Sequence, residues 1–151
     1  MKYLFLGMDG VANCFSREIE NDVKIPKAIW RVNSEKVKFL NVLVEDTGVS
    51  VILSSTWRIG ETIESMNSVF KQLGFTFEIT DFTDTTGPLR GNEIHRFLAD
   101  KDYEEYLIID DDSDMLYWQR NNFMQIDGSY GLSSSHVWKA VRFLNGTTRH
   151  L

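Results

Sequence analysis

Three stretches of this 151-residue sequence end in groups able to do chemistry. Asp9 follows the apolar run Tyr3-Leu4-Phe5-Leu6 and precedes Gly10. Ser54-Ser55-Thr56 follows Val51-Ile52-Leu53, and Asp110-Asp111-Asp112 with Asp114 follows Tyr106-Leu107-Ile108-Ile109. Each apolar run reads as a buried strand, and the ends of parallel strands are where an open α/β sheet keeps its ligands. If the strands are neighbours, Asp9, Asp110 and Asp111 converge, and carboxylates about 4 Å apart repel by about 4 kcal/mol per pair at an effective dielectric near 20. Such a site wants a cation, and an all-oxygen donor set favours Mg²⁺. The hydroxyls and backbone donors of Ser54, Ser55 and Thr56 suit a phosphate, as does the charge of Arg90 or Arg58. Together these groups read as a phosphoryl-transfer site. In that chemistry a carboxylate nucleophile forms an aspartyl-phosphate while a second acid protonates the leaving oxygen and then activates water. The pattern calls for a second carboxylate two residues before Asp9, but the chain has Gly7 there.

Each feature also has a plainer reading. Asp9-Gly10 is a common turn pair, and Arg90 taken alone reads as a surface residue. Asp110, Asp112 and Asp114 fall on the first, third and fifth positions of a calcium loop, but Met115 and Asn121 stand where that loop needs Gly and Glu. Cys14 and His136 have no readable activating neighbour for thiol chemistry. Trp30 and Trp57 read as core rather than base-stacking platforms, and His95 lies within a helical pattern. Gly7 could be a bulge or close-approach glycine. Nothing in the adjacent sequence demands one, so it reads as a lost carboxylate.

The elements that must hold these groups alternate between strand and helix. After the first strand, residues 13–33, with Phe15, Pro26 and Trp30, lack periodicity and read as a long loop or small lid. Ser34 is expected to cap a helix carrying Val37, Leu40 and Val44, with Gly48 past its end. A strand at Ser50–Leu53 is followed by a helix over 61–73, stopped by Gly74. Alternation predicts a third strand over Phe75–Thr80 and then a helix from Asn92 to about Lys101. After the strand Tyr106–Ile109, a short helix is expected over 115–120 and a fifth strand over Phe123–Ile126. Val137, Ala140, Val141 and Leu144 mark a last helix. This order implies βαβ units and an α/β fold with a central, mainly parallel five-stranded sheet covered on both faces. One domain, residues 1–151, is expected.

Composition narrows the partners. Sixteen basic and 22 acidic residues give a net charge of -6, which disfavours non-specific binding to nucleic acid or anionic membrane. No apolar run approaches the roughly 18 residues of a membrane span. A single cysteine and the lack of a leader pattern at the N-terminus lead to the expectation of a cytoplasmic protein. Asn145-Gly146-Thr147 reads as a helix stop rather than a glycosylation site.

The order Gly7-Met8-Asp9-Gly10-Val11, then Ser54, then Arg90, then Asp110-Asp111 resembles the four motifs of the haloacid dehalogenase-like phosphohydrolase superfamily. Ser54-Ser55-Thr56-Trp57-Arg58, Arg90-Gly91-Asn92-Glu93-Ile94 and the Asp110 cluster are similar to small phosphatase domains associated with nucleic-acid repair and to phage-type nucleotide phosphatases. The resemblance implies a three-layer, Rossmann-like α/β/α fold without a large cap. It implies that Asp9 is the general acid and base and gives its backbone carbonyl to Mg²⁺. Ser54 would bind the phosphoryl group, with Ser55, Thr56 and Arg58 as further substrate contacts; Arg90 would stabilise the group, and Asp110 and Asp111 would hold the metal. Gly7 falls where the family keeps its nucleophilic aspartate. The expectation is a Mg²⁺-dependent phosphatase scaffold for a nucleotide or a nucleic-acid end, inactive or strongly impaired as written. The alternative is a binding module that captures a phosphorylated ligand without turnover. A phospho-accepting signalling domain fits less well, because its acidic pair should follow the first strand.

Overall fold

A computed structural model of the chain describes residues 1–14 and 32–151. Its centre is strand β1 (Lys2–Leu6), flanked on one side by β2 (Ser50–Leu53) and β3 (Ile79–Phe82) and on the other by β4 (Glu105–Asp110) and β5 (Phe123–Gln125). The order β3-β2-β1-β4-β5 is parallel throughout. Helices α1 (Ser34–Thr47), α2 (Ile63–Leu73), α3 (Arg90–Leu98) and α4 (Ser134–Leu144) complete the three layers.

Alternation along β1 divides the core. Leu4 and Leu6 join Leu40, Leu43, Phe70, Val137 and Ala140 on the face covered by α1, α2 and α4. Tyr3 and Phe5 point the other way, to Ile94 and Leu98 of α3. Both faces are therefore apolar, as a buried parallel sheet requires. Among the described residues no helix is long and apolar enough to cross a membrane.

Register creates the site. Leu6 pairs with Leu53 on one side and with Ile109 on the other, so Gly7, Ser54 and Asp110 lie at one level at the end of the sheet. The chain goes from β1 to β2 on one side and places β4 on the other, which makes β1/β4 the topological switch point where such sheets bind ligands.

Several boundaries differ from the sequence reading. The third strand lies at Ile79–Phe82 rather than Phe75–Thr80. Phe75 and Phe77 instead pack on Phe70, with ring centroids 4.4 and 6.2 Å away, so their alternation reports burial under α2. Helix α3 begins at Arg90 rather than Asn92 and ends at Leu98. The short helix after β4 is a 3-10 segment at Tyr117–Asn122. Asn33, not Ser34, caps α1, its Oδ1 accepting from the N–H of Glu35 at 2.8 Å. Most of the expected lid, including Phe15, Pro26 and Trp30, lies outside the described residues. Its flanks are joined, since the N–H of Asn33 donates to the Ala12 carbonyl at 2.9 Å.

Candidate active site

The turn after β1 aims Asp9. Val11 and Ala12 donate to the Met8 carbonyl at 3.1 and 2.9 Å, and Gly10 adopts φ 75°. The Gly10 N–H donates to Asn13 Oδ1 at 2.8 Å, and Asn13 Nδ2 donates to Asp9 Oδ1 at 3.0 Å. Trp57 Nε1 donates to the same oxygen, also at 3.0 Å. Both donors fall on Oδ1, which fixes the carboxylate and leaves Oδ2 as its free edge among the described residues. Sequence reasoning missed Asn13 and treated Trp57 as core. The position of Asn13 four residues after Asp9, within one turn, was the available signal.

Gly7 is buried, and its N–H donates to the Ile109 carbonyl at 2.9 Å. A Cβ at Gly7 would meet Asp110 Oδ2 at 2.5 Å and Cγ at 2.7 Å. The reading that nothing nearby demands a glycine is therefore corrected: the Asp110 carboxylate fills that space. Asp110 is fully buried. Its Oδ1 accepts from the Asp112 N–H at 3.0 Å, and its Oδ2 pairs with Arg90 Nη1. Burial alone would lower the Arg90 pKa, but the Asp110 charge and hydrogen bond outweigh it and hold the guanidinium above its ordinary value. The N–H of Arg90 also donates to Asp114 Oδ2 at 2.9 Å, which ties the start of α3 to the acidic loop.

Asp111 sits against Gly10, whose absent Cβ would lie 2.5 Å from Asp111 Cγ. Positive φ and close approach both make Gly10 a glycine position. Burial, followed by the hydrogen bond and charge of Asp110, pushes the Asp111 carboxyl up to about 6.

The two arginines take different parts. Arg90 reaches the Asp110 carboxylate; Arg58 turns instead to Glu93 and backbone carbonyls. Arg58 is buried, and its Nε donates to the Thr83 carbonyl at 3.0 Å. Its Nη1 donates to the Ser54 and Ser55 carbonyls and its Nη2 to the Asp84 carbonyl and Glu93 Oε2, all at 2.7 Å. The expected substrate contact at Arg58 is thus a clamp on the loops after β2 and β3, with Glu93 as its buried counter-charge. Ser55 caps the 3-10 turn Thr56–Arg58, accepting from the Trp57 N–H at 3.3 Å, and Thr56 is exposed. Ser54 is fully buried, and its Oγ has no hydrogen-bond partner among the described residues.

The convergence of Asp9, Asp110 and Asp111 that the sequence reading expected is not seen as a three-carboxylate cluster among the described residues. Asp9 turns to Asn13 and Trp57 instead. What remains is the carboxylate pair Asp110 and Asp111, to which the resemblance would add the Asp9 backbone carbonyl. Magnesium takes one or two carboxylates and fills its shell with water, so the donor set fits that ion. His136, weighed for thiol chemistry with Cys14, is engaged at the start of α4, where its Nδ1 accepts from the Ser133 N–H at 3.1 Å.

A family model described as the HAD domain in Swiss Army Knife RNA repair proteins matches residues 3–137. No curated protein and no solved structure matches the chain.

Proposed function

The chain belongs to the HAD domains of Swiss Army Knife RNA repair proteins, and from that premise we propose that it is a phosphohydrolase scaffold for a phosphate ester whose nucleophile is missing. Domains of this superfamily are generally magnesium-dependent. The observation that carries the reading is Gly7, level with Ser54 and Asp110 at the sheet edge, with Asp110 in the space beside it.

In this reading the Ser54 hydroxyl donates to a phosphoryl oxygen and gains the partner it lacks among the described residues. The Arg90 guanidinium shares its charge between Asp110 and the phosphoryl group. Asp9, held through Oδ1, is the acid and base by its free Oδ2. Asp110, Asp111 and the Asp9 carbonyl would hold Mg²⁺, which when bound would offset phosphoryl charge. With no carboxylate at residue 7 the aspartyl-phosphate cannot form, and loss of a nucleophile from a cooperating site costs on the order of a million-fold in rate. The substrate is a nucleotide or a nucleic-acid end.

The test is Mg²⁺-dependent phosphate release from nucleoside monophosphates and 3'-phosphorylated oligonucleotides, by this chain and by Gly7→Asp. The substituted chain should release phosphate and the parent should not. Release by neither form defeats the reading. A non-catalytic binding module is the second reading, favoured by the Arg90–Asp110 pair that occupies the space next to Gly7. Calorimetric nucleotide binding by the parent, with Gly7→Asp still inert, would select it.

A further inference from the structure

Next to the Arg90–Asp110 pair lies a pocket of about 190 Å³ walled by Thr56, Ile59, Thr85, Pro88, Arg90 and Asp114. At roughly 30 Å³ per water molecule this is room for about six waters, or one small ring with the rest of a ligand outside. The wall is mixed. Ile59 and Pro88 give it apolar surface, Thr56 and Thr85 give hydroxyls, Asp114 gives a carboxylate, and the Arg58–Glu93 ion pair also lines it. Among the described residues no aromatic side chain lines it, so those residues offer no face on which a base would stack.

Asp114 supplies the second observation. Its Oδ2 accepts from the Arg90 N–H, but its buried Oδ1 has no donor among the described residues. A buried acceptor without a donor costs free energy that a hydroxyl-bearing ligand would recover. The same flank carries the unpartnered hydroxyls of Ser54 and Thr83, whose strand ends Arg58 clamps together. Arg90 belongs to both places, because it pairs with Asp110 and walls the pocket. A phosphoryl group held by Arg90 would therefore lie beside this pocket.

We propose that the pocket is a subsite for the sugar ring bearing the phosphate, with Asp114 Oδ1 accepting from the ring hydroxyl next to the ester, so that the protein takes ribose over 2'-deoxyribose. The proposal rests on the phosphate-ester reading above. A site with an acceptor placed for a hydroxyl discriminates against the analogue lacking it, as one charged acceptor does by roughly tenfold or more.

Calorimetric titration of the whole chain in Mg²⁺ with inorganic phosphate, adenosine 3'-monophosphate and 2'-deoxyadenosine 3'-monophosphate tests it. The ribonucleotide should bind at least about tenfold more tightly than the deoxyribonucleotide. Asp114→Asn should bring that ratio close to one. So should Thr85→Phe, which fills the pocket from an exposed position and keeps the test open if the first variant misfolds. Equal affinity for the two nucleotides in the parent, with phosphate still bound, overturns the subsite and leaves the phosphate-ester reading standing. A ribose preference that survives in folded variants also overturns it. Binding of none of the three probes overturns the reading and the subsite together.

Discussion

Glu93 is the residue whose removal tests the clamp most directly. Its carboxylate and the Arg58 guanidinium are 8% and 4% exposed and 2.7 Å apart. Glu93→Ala strands a buried guanidinium that stays protonated at any workable pH. Breaking a buried pair from one side costs about 3–5 kcal/mol. Arg58 keeps its four carbonyl acceptors, which places the cost at the low end, about 3 kcal/mol. At about 2–4 °C per kcal/mol for a chain of this size, the midpoint should fall by roughly 6–12 °C. The assay is paired urea and thermal unfolding followed by circular dichroism. Arg58→Met is the complementary perturbation. It leaves the Ser54, Thr83 and Asp84 carbonyls without their side-chain donor, while Ser55 keeps the backbone N–H of residue 58, and it leaves Glu93 buried alone. Burial already holds the Glu93 carboxyl above its ordinary value, against the opposing pull of Arg58. Without Arg58 it rises further. A carboxyl raised in the folded state binds more protons there than in the unfolded chain, so stability falls as pH rises above the unfolded value. Arg58→Met should therefore be less destabilised at pH 5 than at pH 8. A Glu93→Ala chain within about 0.5 kcal/mol of the parent, or an Arg58→Met chain equally unstable at both pH values, refutes the clamp.

Gly7→Ala isolates the steric part of the Gly7 argument. Its Cβ meets Asp110, which Arg90 and the Asp112 N–H hold in place, so denaturant unfolding should show a loss of about 1–3 kcal/mol. Gly10→Ala adds a positive-φ penalty to the collision with Asp111 and should lose about as much by the same measurement. Trp57→Phe removes one of the two donors to Asp9 Oδ1 while keeping most of the packing. It should cost about 0.5–1.5 kcal/mol in stability and, in a Gly7→Asp background, lower kcat more than it changes KM. Asp84 is held well below the usual carboxylate range by its hydrogen bonds to Arg96. A depressed carboxyl stabilises the fold above its unfolded pKa and loses that contribution as pH falls through the acid range. Asp84→Asn should thus flatten the decline of the melting temperature below about pH 4.

The sheet was legible because the strands that carry the candidate site are apolar runs ending in polar groups, and a parallel sheet aligns such ends. Leu6, Leu53 and Ile109 are register partners, and the residue after each was a candidate. The division of labour between Arg58 and Arg90 was not legible. Both were candidates to neutralise a phosphate, and only the ends of β2 and β3, side by side, supply the carbonyls that capture Arg58. Gly7 was visible as an anomaly, but its neighbour Asp110 stands more than a hundred positions away in the chain. No local pattern could report that contact. Phe75 and Phe77 misled for a related reason, since two aromatics spaced by two residues satisfy a buried strand and a helix-capping cluster equally well. Trp57 and Asn13 were hidden because their role is to orient Asp9, and that depends on side-chain direction rather than spacing.

The central position of β1 also bears on how the protein is made. Its partners are β2 and β4, and the latter pairing joins Leu6 to Ile109 across most of the chain. Parallel strands so far apart in sequence pay their loop-closure entropy before any pairing rewards it, which slows folding. A nascent chain that has emerged only as far as α3 presents β1 with one side unpaired, an apolar edge available to any other extended segment. Premature termination before β4 should therefore yield an aggregation-prone fragment rather than a smaller folded one.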